Sequence, residues 1–281
     1  MASPDLGSAR PGSPGPGSPG LGPGVLHPGR AAGVVDLARY EPAPGLARLV
    51  EFYWLVRWDR RGLPCHEQKV LAHPNVHLVF EAPRAGVYGV DRSLFVRRLE
   101  GAGHVLGVKF RPGGLAPFSD RPAAGFADRV VPAADVFGPA VDRLNEAVLR
   151  GGSEQVGSVD AFLLARLPEP VADPSAELTA AMVERVTAGS DLRRVDELAA
   201  EFGVSVRRLQ RLFAEYVGAS PKWVLRRARL HEAARRADQG LDVDWAALAA
   251  DLGYADQAHL TRDFTAAVGM PPARYAAGGP G

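Results

Sequence analysis

Two short runs of side chains carry the chemistry of this chain. Arg207, Gln210, Arg211 and Ala214 fall at i, i+3, i+4 and i+7, so a helix through them gathers long hydrogen-bond donors on one side. An arginine fork matches the O6/N7 edge of guanine, and a glutamine amide matches the N6/N7 edge of adenine. Each good pair discriminates by about 1–3 kcal/mol. Leu209, Leu212, Phe213, Tyr216 and Val217 form the apolar side of the same helix and are expected to pack inward. Fifty-one residues later, Ala258, Thr261, Arg262 and Thr265 hold the equivalent outward positions, and Leu260, Phe264 and Val268 the inward ones. Gln257 and His259 flank this second face near the helix start, where base contacts concentrate. One such face alone is ordinary solvated surface. Two matched faces in one chain point to a reader of base edges.

The match extends well beyond these helices. Leu198-Ala-Ala-Glu-Phe-Gly-Val-Ser205 recurs as Leu248-Ala-Ala-Asp-Leu-Gly-Tyr-Ala255, each followed by Leu-x-Arg-x-Phe, Val-Gly and Pro. The offset is 50 at Gly203/Gly253 and 51 at Phe213/Phe264, so one residue is inserted in the second turn. Each copy reads as helix, glycine turn, helix, which is the helix-turn-helix pattern. Stops and caps place the helices. Gly189 ends a first, Gly203 a second, and Ser205 caps a third. Ser220-Pro221 starts a fourth that ends near Gly240, since proline suits the first helical position. Asp244 caps a fifth and Asp256 a sixth, which ends at Gly269. Arg194, before the second, is a poor cap.

Charge is local. The whole chain carries +1, yet Arg207 to Arg236 holds nine basic residues against two acidic ones. Such a stripe holds phosphates even when the domain total is neutral. The fourth helix, with Lys222, Arg226, Arg227, Arg229, Arg235 and Arg236, joins the two copies. At about 1.5 Å per residue it spans about 27 Å, which suits insertion into successive major grooves about 34 Å apart. The expected DNA-contacting set is Ser205, Arg207, Arg208, Gln210, Arg211, Gln257, Ala258, His259, Thr261 and Arg262. Within it Arg208 suits a phosphate. Lys222, Arg226 and Arg227 are expected on phosphates as well.

At these residues a resemblance emerges. Residues 176–276 resemble the DNA-binding domain of the AraC/XylS family of bacterial transcription regulators. The motifs are Leu198 to Ser205, Leu209-x-Arg-x-Phe213, Gly218-x-Ser-Pro221, Leu248 to Tyr254, His259-Leu-Thr-Arg-Asp-Phe264, Gly269-x-Pro-Pro272 and Tyr275. The resemblance implies seven helices, two helix-turn-helix units with a connecting helix, and transcription control as activator or repressor. It also implies double-stranded promoter DNA as partner, with RNA polymerase and a small-molecule effector as further partners. Ala258 stands where such proteins commonly carry a polar reader, so the second unit is expected to read fewer bases.

Ahead of this domain the chain reads differently. Residues 1–30, rich in Gly, Pro and Ser, are expected to form a disordered tail. Residues 31–167 are expected to form a β-rich sensory or interaction domain, and 168–175 a proline-rich linker, giving an α+β chain with an all-α end. Strands are expected in Leu49–Trp58, Val76–Phe80, Leu94–Leu99 and His104–Phe110, and helices in Val141–Leu149 and Val159–Arg166. Those two helices are candidates either for contact with a second chain or for packing on the front domain. Tyr40-Glu-Pro through Trp54 and Gly107 to Gly114 resemble a front domain of actinobacterial-type members of the same family. Phe52, Tyr53, Trp54, Trp58, Phe80 and Phe110 are core candidates that an apolar ligand pocket would also use.

Other chemistries fit less well. His66, His73, His77 and Glu81 invite a metal reading, but strand positions four apart lie about 13 Å apart. One zinc needs ligands about 2 Å away, so one straight strand cannot gather them. Cys65 is the single cysteine, which excludes an internal disulfide and a multi-cysteine metal site and fits a reducing cytoplasm. A DNA-anchored enzyme, such as a repair methyltransferase using Cys65, is the competing class. No nucleophile elbow, phosphate loop or His-Glu-x-x-His motif supports an enzyme, and no cofactor is called for. No apolar run approaches the ~20 residues of a membrane span.

Overall fold

The computed structural model describes residues 24–27, 33–151, 154–168, 173–189, 191–239 and 243–278. The front domain is built on an antiparallel sheet. Its strands are β1 (Asp36–Tyr40), β2 (Val50–Arg60), β4 (His77–Phe80), β5 (Gly86–Tyr88), β7 (Gly101–Phe110) and β8 (Val130–Pro132), ordered β1-β2-β7-β4-β5-β8. A separate two-stranded ribbon pairs β3 (His66–Leu71) with β6 (Leu94–Leu99). The long central strands follow from β-branched and aromatic residues that alternate between the two faces. Along β2, Val50, Tyr53 and Leu55 are buried, and a register shift between Val50 and Phe52 breaks strict alternation.

Three helices complete this domain: α1 (Ala134–Phe137), α2 (Ala140–Leu149) and α3 (Gln155–Leu164). Val141 and Val148 of α2 and Val159 and Leu163 of α3 join Tyr53, Leu78, Phe80, Leu106 and Phe110 in one core. The Tyr53 hydroxyl donates to Asp160 at 2.6 Å, pinning α3 to β2. Tyr53, Phe80 and Phe110 are therefore core, whereas Phe52, Trp54 and Trp58 are partly exposed on the sheet.

Among the described residues, seven helices follow: α4 (Pro174–Ala188), α5 (Val195–Glu201), α6 (Val206–Tyr216), α7 (Pro221–Asp238), α8 (Trp245–Asp251), α9 (Gln257–Val268) and α10 (Pro272–Ala276). Asp173 caps α4 by accepting from the Ser175 and Ala176 amides, so the helix begins inside the expected linker. Residues 169–172 of that linker lie outside the described residues, as do 1–23 and 28–30 of the expected tail and 31–32 of the front domain. The tail reading fails at Gly24–His27. Leu26 is buried, its amide donates to the Lys69 carbonyl at 3.1 Å, and the His27 amide donates to the Tyr275 hydroxyl at 3.1 Å. Two adjacent apolar residues, Val25 and Leu26, suffice to anchor this piece beside β3 and α10.

The front domain inserts a side chain into each of two helical cores. Val90 joins Met182, Leu198, Leu209 and Phe213, the core of the first helix-turn-helix unit. Leu71 joins Leu230, Leu248, Leu260 and Phe264, the core of the second. The Gly113 amide donates to the Tyr216 carbonyl at 2.8 Å. Gly218, at φ +86°, lies so close to the Ala123 carbonyl that a Cβ there would sit 2.7 Å from its oxygen.

Candidate nucleic-acid interface

The two units are built by the same local rules. In the first, α5 ends at a turn where Gly203 takes φ +63°; in the second, α8 ends where Gly253 takes φ +71°. Both turns need this left-handed residue, which glycine adopts without a Cβ penalty. Ser205 then caps α6, its hydroxyl accepting from the Arg208 amide at 3.2 Å. At the equivalent position Asp256 caps α9, its carboxylate accepting from the His259 amide at 2.6 Å. Arg194, a residue without acceptors, caps α5 poorly as expected. Glu197 compensates by accepting from the Arg193 and Arg194 amides at 2.9 and 3.1 Å.

Each reading helix presents the expected side to solvent. On α6, Leu209, Leu212 and Phe213 are buried, while Arg207, Arg208, Gln210 and Arg211 are exposed, as is the capping Ser205. Those three guanidinium groups have no ion-pair partner among the described residues. On α9, Leu260, Phe264 and Val268 are buried and Gln257, Ala258, His259 and Arg262 are exposed. Thr261 is half-buried. The His259 ring meets the Tyr254 ring edge-on, with centroids 5.1 Å apart, which settles the imidazole at the start of α9.

The connecting helix departs from the sequence reading. Lys222 is exposed and free to reach a phosphate. Arg227 is not: it is 3% exposed, its Nη2 donates to the Arg92 carbonyl at 2.9 Å, and its guanidinium lies 4.6 Å from the Trp223 ring centroid. Burial lowers its pKa from 12.5 to about 10, which still leaves it charged at neutral pH. It therefore leaves the phosphate-contacting set. Arg226 is half-exposed and engaged with Asp263 of α9, its Nη2 donating to Oδ1 at 2.8 Å. Arg229 lies over the Tyr254 ring, and both Arg235 and Arg236 pair with Glu232. Most of the basic stripe is thus neutralised or used in packing, and the free positive charge concentrates on α6. Spacing within α7 held a signal for Arg227. It falls on the stripe of buried Val224, Leu230 and Ala234, so a core-facing position was legible there.

The other candidates separate. The Trp54 indole donates to His77 Nδ1 at 3.2 Å, and burial pushes the His77 pKa down to about 3. His73 stacks on His231 of α7, and Glu81 pairs with Arg97 at 2.7 Å and with the Tyr88 hydroxyl. No cluster of three His, Cys, Asp or Glu positioned for a metal occurs among the described residues. Cys65 is exposed just ahead of β3.

Residues 198–278 match a family described as "Helix-turn-helix domain", which covers both units. The carboxy-terminal domain is an AraC-type helix-turn-helix domain. The chain that carries this AraC-type domain is a DNA-binding transcription regulator. Residues 38–132 match "Domain of unknown function (DUF6597)", which falls on the β-rich front half. No curated protein matches the sequence. Among solved structures, ToxT from Vibrio cholerae shares 10% identity over 82% of this chain and 98% of its own, with a TM-score of 0.36. A structure of unsaturated fatty acid bound wild-type ToxT from the same organism shares 8% over 86% and 91%, with a TM-score of 0.34. The AraC-like transcriptional activator CuxR shares 18% over 73% and 88%, with a TM-score of 0.22. No helix among the described residues is long and apolar enough to cross a membrane.

Proposed function

We propose that one chain reads two unequal half-sites on one DNA face, α6 in one major groove and α9 in the next. The observation that carries this is the pair of capped, outward, donor-bearing helices joined by the single 18-residue helix α7. Arg207, Gln210 and Arg211 read bases in the stronger box, and Arg208 and Lys222 hold phosphates. Gln257, His259 and Arg262 read the weaker box, Thr261 contributes at its edge, and Ala258 supplies no donor. Because the two faces differ, the operator need not be palindromic. The domain from about 176 to 276 does this work, and the part from about 31 to 167 senses a small molecule or a protein, passing its state through the contacts of Val90 and Leu71. The chain acts as a regulator and not as an enzyme, in the compartment that holds DNA, the cytoplasm. RNA polymerase is the partner for activation.

Selection of bound sequences from random duplexes by the full chain tests this reading. It predicts two dissimilar boxes about one helical turn apart. A single box, or two identical inverted boxes, would contradict it.

A further inference from the structure

Helix α7 joins the two helix-turn-helix units, and Leu71 and Val90 tie each of them to the front domain. The units also touch each other directly, at Arg193. This residue stands just ahead of α5, in the first unit, and its backbone is held in place there. Leu192 is buried in the first unit's core, and the Arg193 amide donates to Glu197 Oε2 at 2.9 Å. The Arg193 side chain leaves its own unit. Its Nη2 donates at 3.0 Å to the carbonyl of Asp251, the last residue of α8. Its stem lies against the turn that follows, so close that a Cβ on Gly253 would sit 2.5 Å from Arg193 Cδ.

Both halves of this contact have a physical reason. The Asp251 carbonyl is one of the last four of α8, which find no amide within their own helix. A guanidinium there satisfies the carbonyl and meets the negative end of the helix dipole. The Asp251 carboxylate accepts from Arg236 Nη1 of α7 at 3.3 Å, so the end of α8 is held both from α7 and from the first unit. The tie runs one way. At the offset of 50, the counterpart of Arg193 is Val243, which packs against the second unit's own core. What Arg193 grips is the elbow that aims a reading helix, since α9 begins at Gln257, just past the Gly253 turn.

We propose that Arg193 is a positioning residue for DNA recognition: by fastening the first unit to the elbow of the second, it fixes the angle between α6 and α9 and thereby the box spacing that one chain accepts. Moving one box by a base pair shifts it about 3.4 Å and turns it about 35° round the duplex. To follow, α9 must swing relative to α6, and the Arg193 contact must break. The consequence for spacing rests on the half-site reading proposed above; the mutual placement of the two helices in the free protein does not.

The test has two arms, both on the full chain. In the first, duplexes with the selected boxes at the preferred spacing, and with one base pair added or removed between them, compete for binding. The wild-type chain should lose about tenfold in affinity at either altered spacing, the worth of a hydrogen bond to a charged group. Arg193→Ala should accept all three spacings within about threefold. Arg193→Lys, whose ammonium can donate to the same carbonyl, should restore the steep profile. The second arm needs no DNA. Spin labels at Glu215→Cys on α6 and Ala266→Cys on α9, both exposed, are placed in a Cys65→Ser background. The label distances should be narrowly distributed with Arg193 or Arg193→Lys and broad in Arg193→Ala. A profile in Arg193→Ala as steep as the wild type's, equal weakening at every spacing, or an unchanged distance distribution would overturn the proposal. A wild-type chain that selects a single box would fell the half-site reading instead, and the label distances alone would then decide the role of Arg193.

Discussion

The first helix-turn-helix unit exposes three arginines without ion pairs and a glutamine on α6; the second exposes one arginine beside Gln257, Ala258 and His259 on α9. Their frames are nearly superimposable in sequence: the same glycine turn, the same cap position, the same buried Leu and Phe. The difference at the cap is instructive. Ser205 and Asp256 do the same job for the helix, but Ser205 is neutral and Asp256 brings a carboxylate to the helix start. The second unit is tied to α7 through Arg226–Asp263 and Arg229 on Tyr254, the first to α4 and its cap through Arg185–Glu201 and Tyr216–Asp173. On the proposed reading, one duplicated frame carries a stronger reader and a weaker one, with the surplus charge on the first.

The comparison can be broken at its strongest point first. Arg211→Ala should cost about 1–3 kcal/mol of discrimination at one position of the stronger box and leave the weaker box untouched. Arg262→Ala should do the reverse, with a loss near the lower end of that range. Competition binding with duplexes mutated in one box at a time measures both, and equal loss across all sequences would mark either arginine as a phosphate contact. Next, Arg208→Ala should lower the slope of log affinity against log salt by about 1, read from titrations at several salt concentrations. Ser205→Ala should cost about 1 kcal/mol of stability through loss of the α6 cap, read by urea unfolding. Asp256→Ser should keep the α9 cap and tighten DNA binding severalfold by removing a repulsive charge, an outcome that would narrow the gap between the units.

The smallest effect concerns pH. Burial, with His73 next in weight, holds the His231 pKa well below 6.5, so the docked protein keeps this ring neutral. The unfolded or undocked chain binds a proton near pH 6.5 that the docked form does not. Stability from this contact is therefore present above about pH 6.5 and lost as pH falls below it. Hydrogen exchange at pH 5.5 should show faster opening of the second unit than of the first, because Leu71 and His231 sit on its side.

What the sequence disclosed followed from local rules. Caps at Ser205, Ser220, Asp244 and Asp256 are read within four residues, and the observed helices begin there. The strand runs were legible because β-branched and aromatic residues are dense from Val50 to Trp58 in β2 and recur at Val105, Val108 and Phe110 in β7. Strand order was not, since β7 pairs with both β2 and β4 across long sequence separations. The partner of Arg227 was hidden for the same reason, although the apolar stripe of α7 marks its position as core-facing. Its acceptor is the Arg92 carbonyl, 135 residues away, and composition alone makes it look like Arg226 or Arg229. Gly24–His27 escaped because their partners, Lys69 and Tyr275, belong to elements far along the chain.

The central claim is that a single chain engages two dissimilar boxes, and hydroxyl-radical footprinting of the full protein on a selected duplex tests it most directly. The account predicts two protected stretches one helical turn apart on one face of the DNA, with a stoichiometry of one chain per duplex. Arg262→Ala should fade only the weaker stretch. Protection of one stretch alone, or a requirement for two chains to protect both, would contradict it.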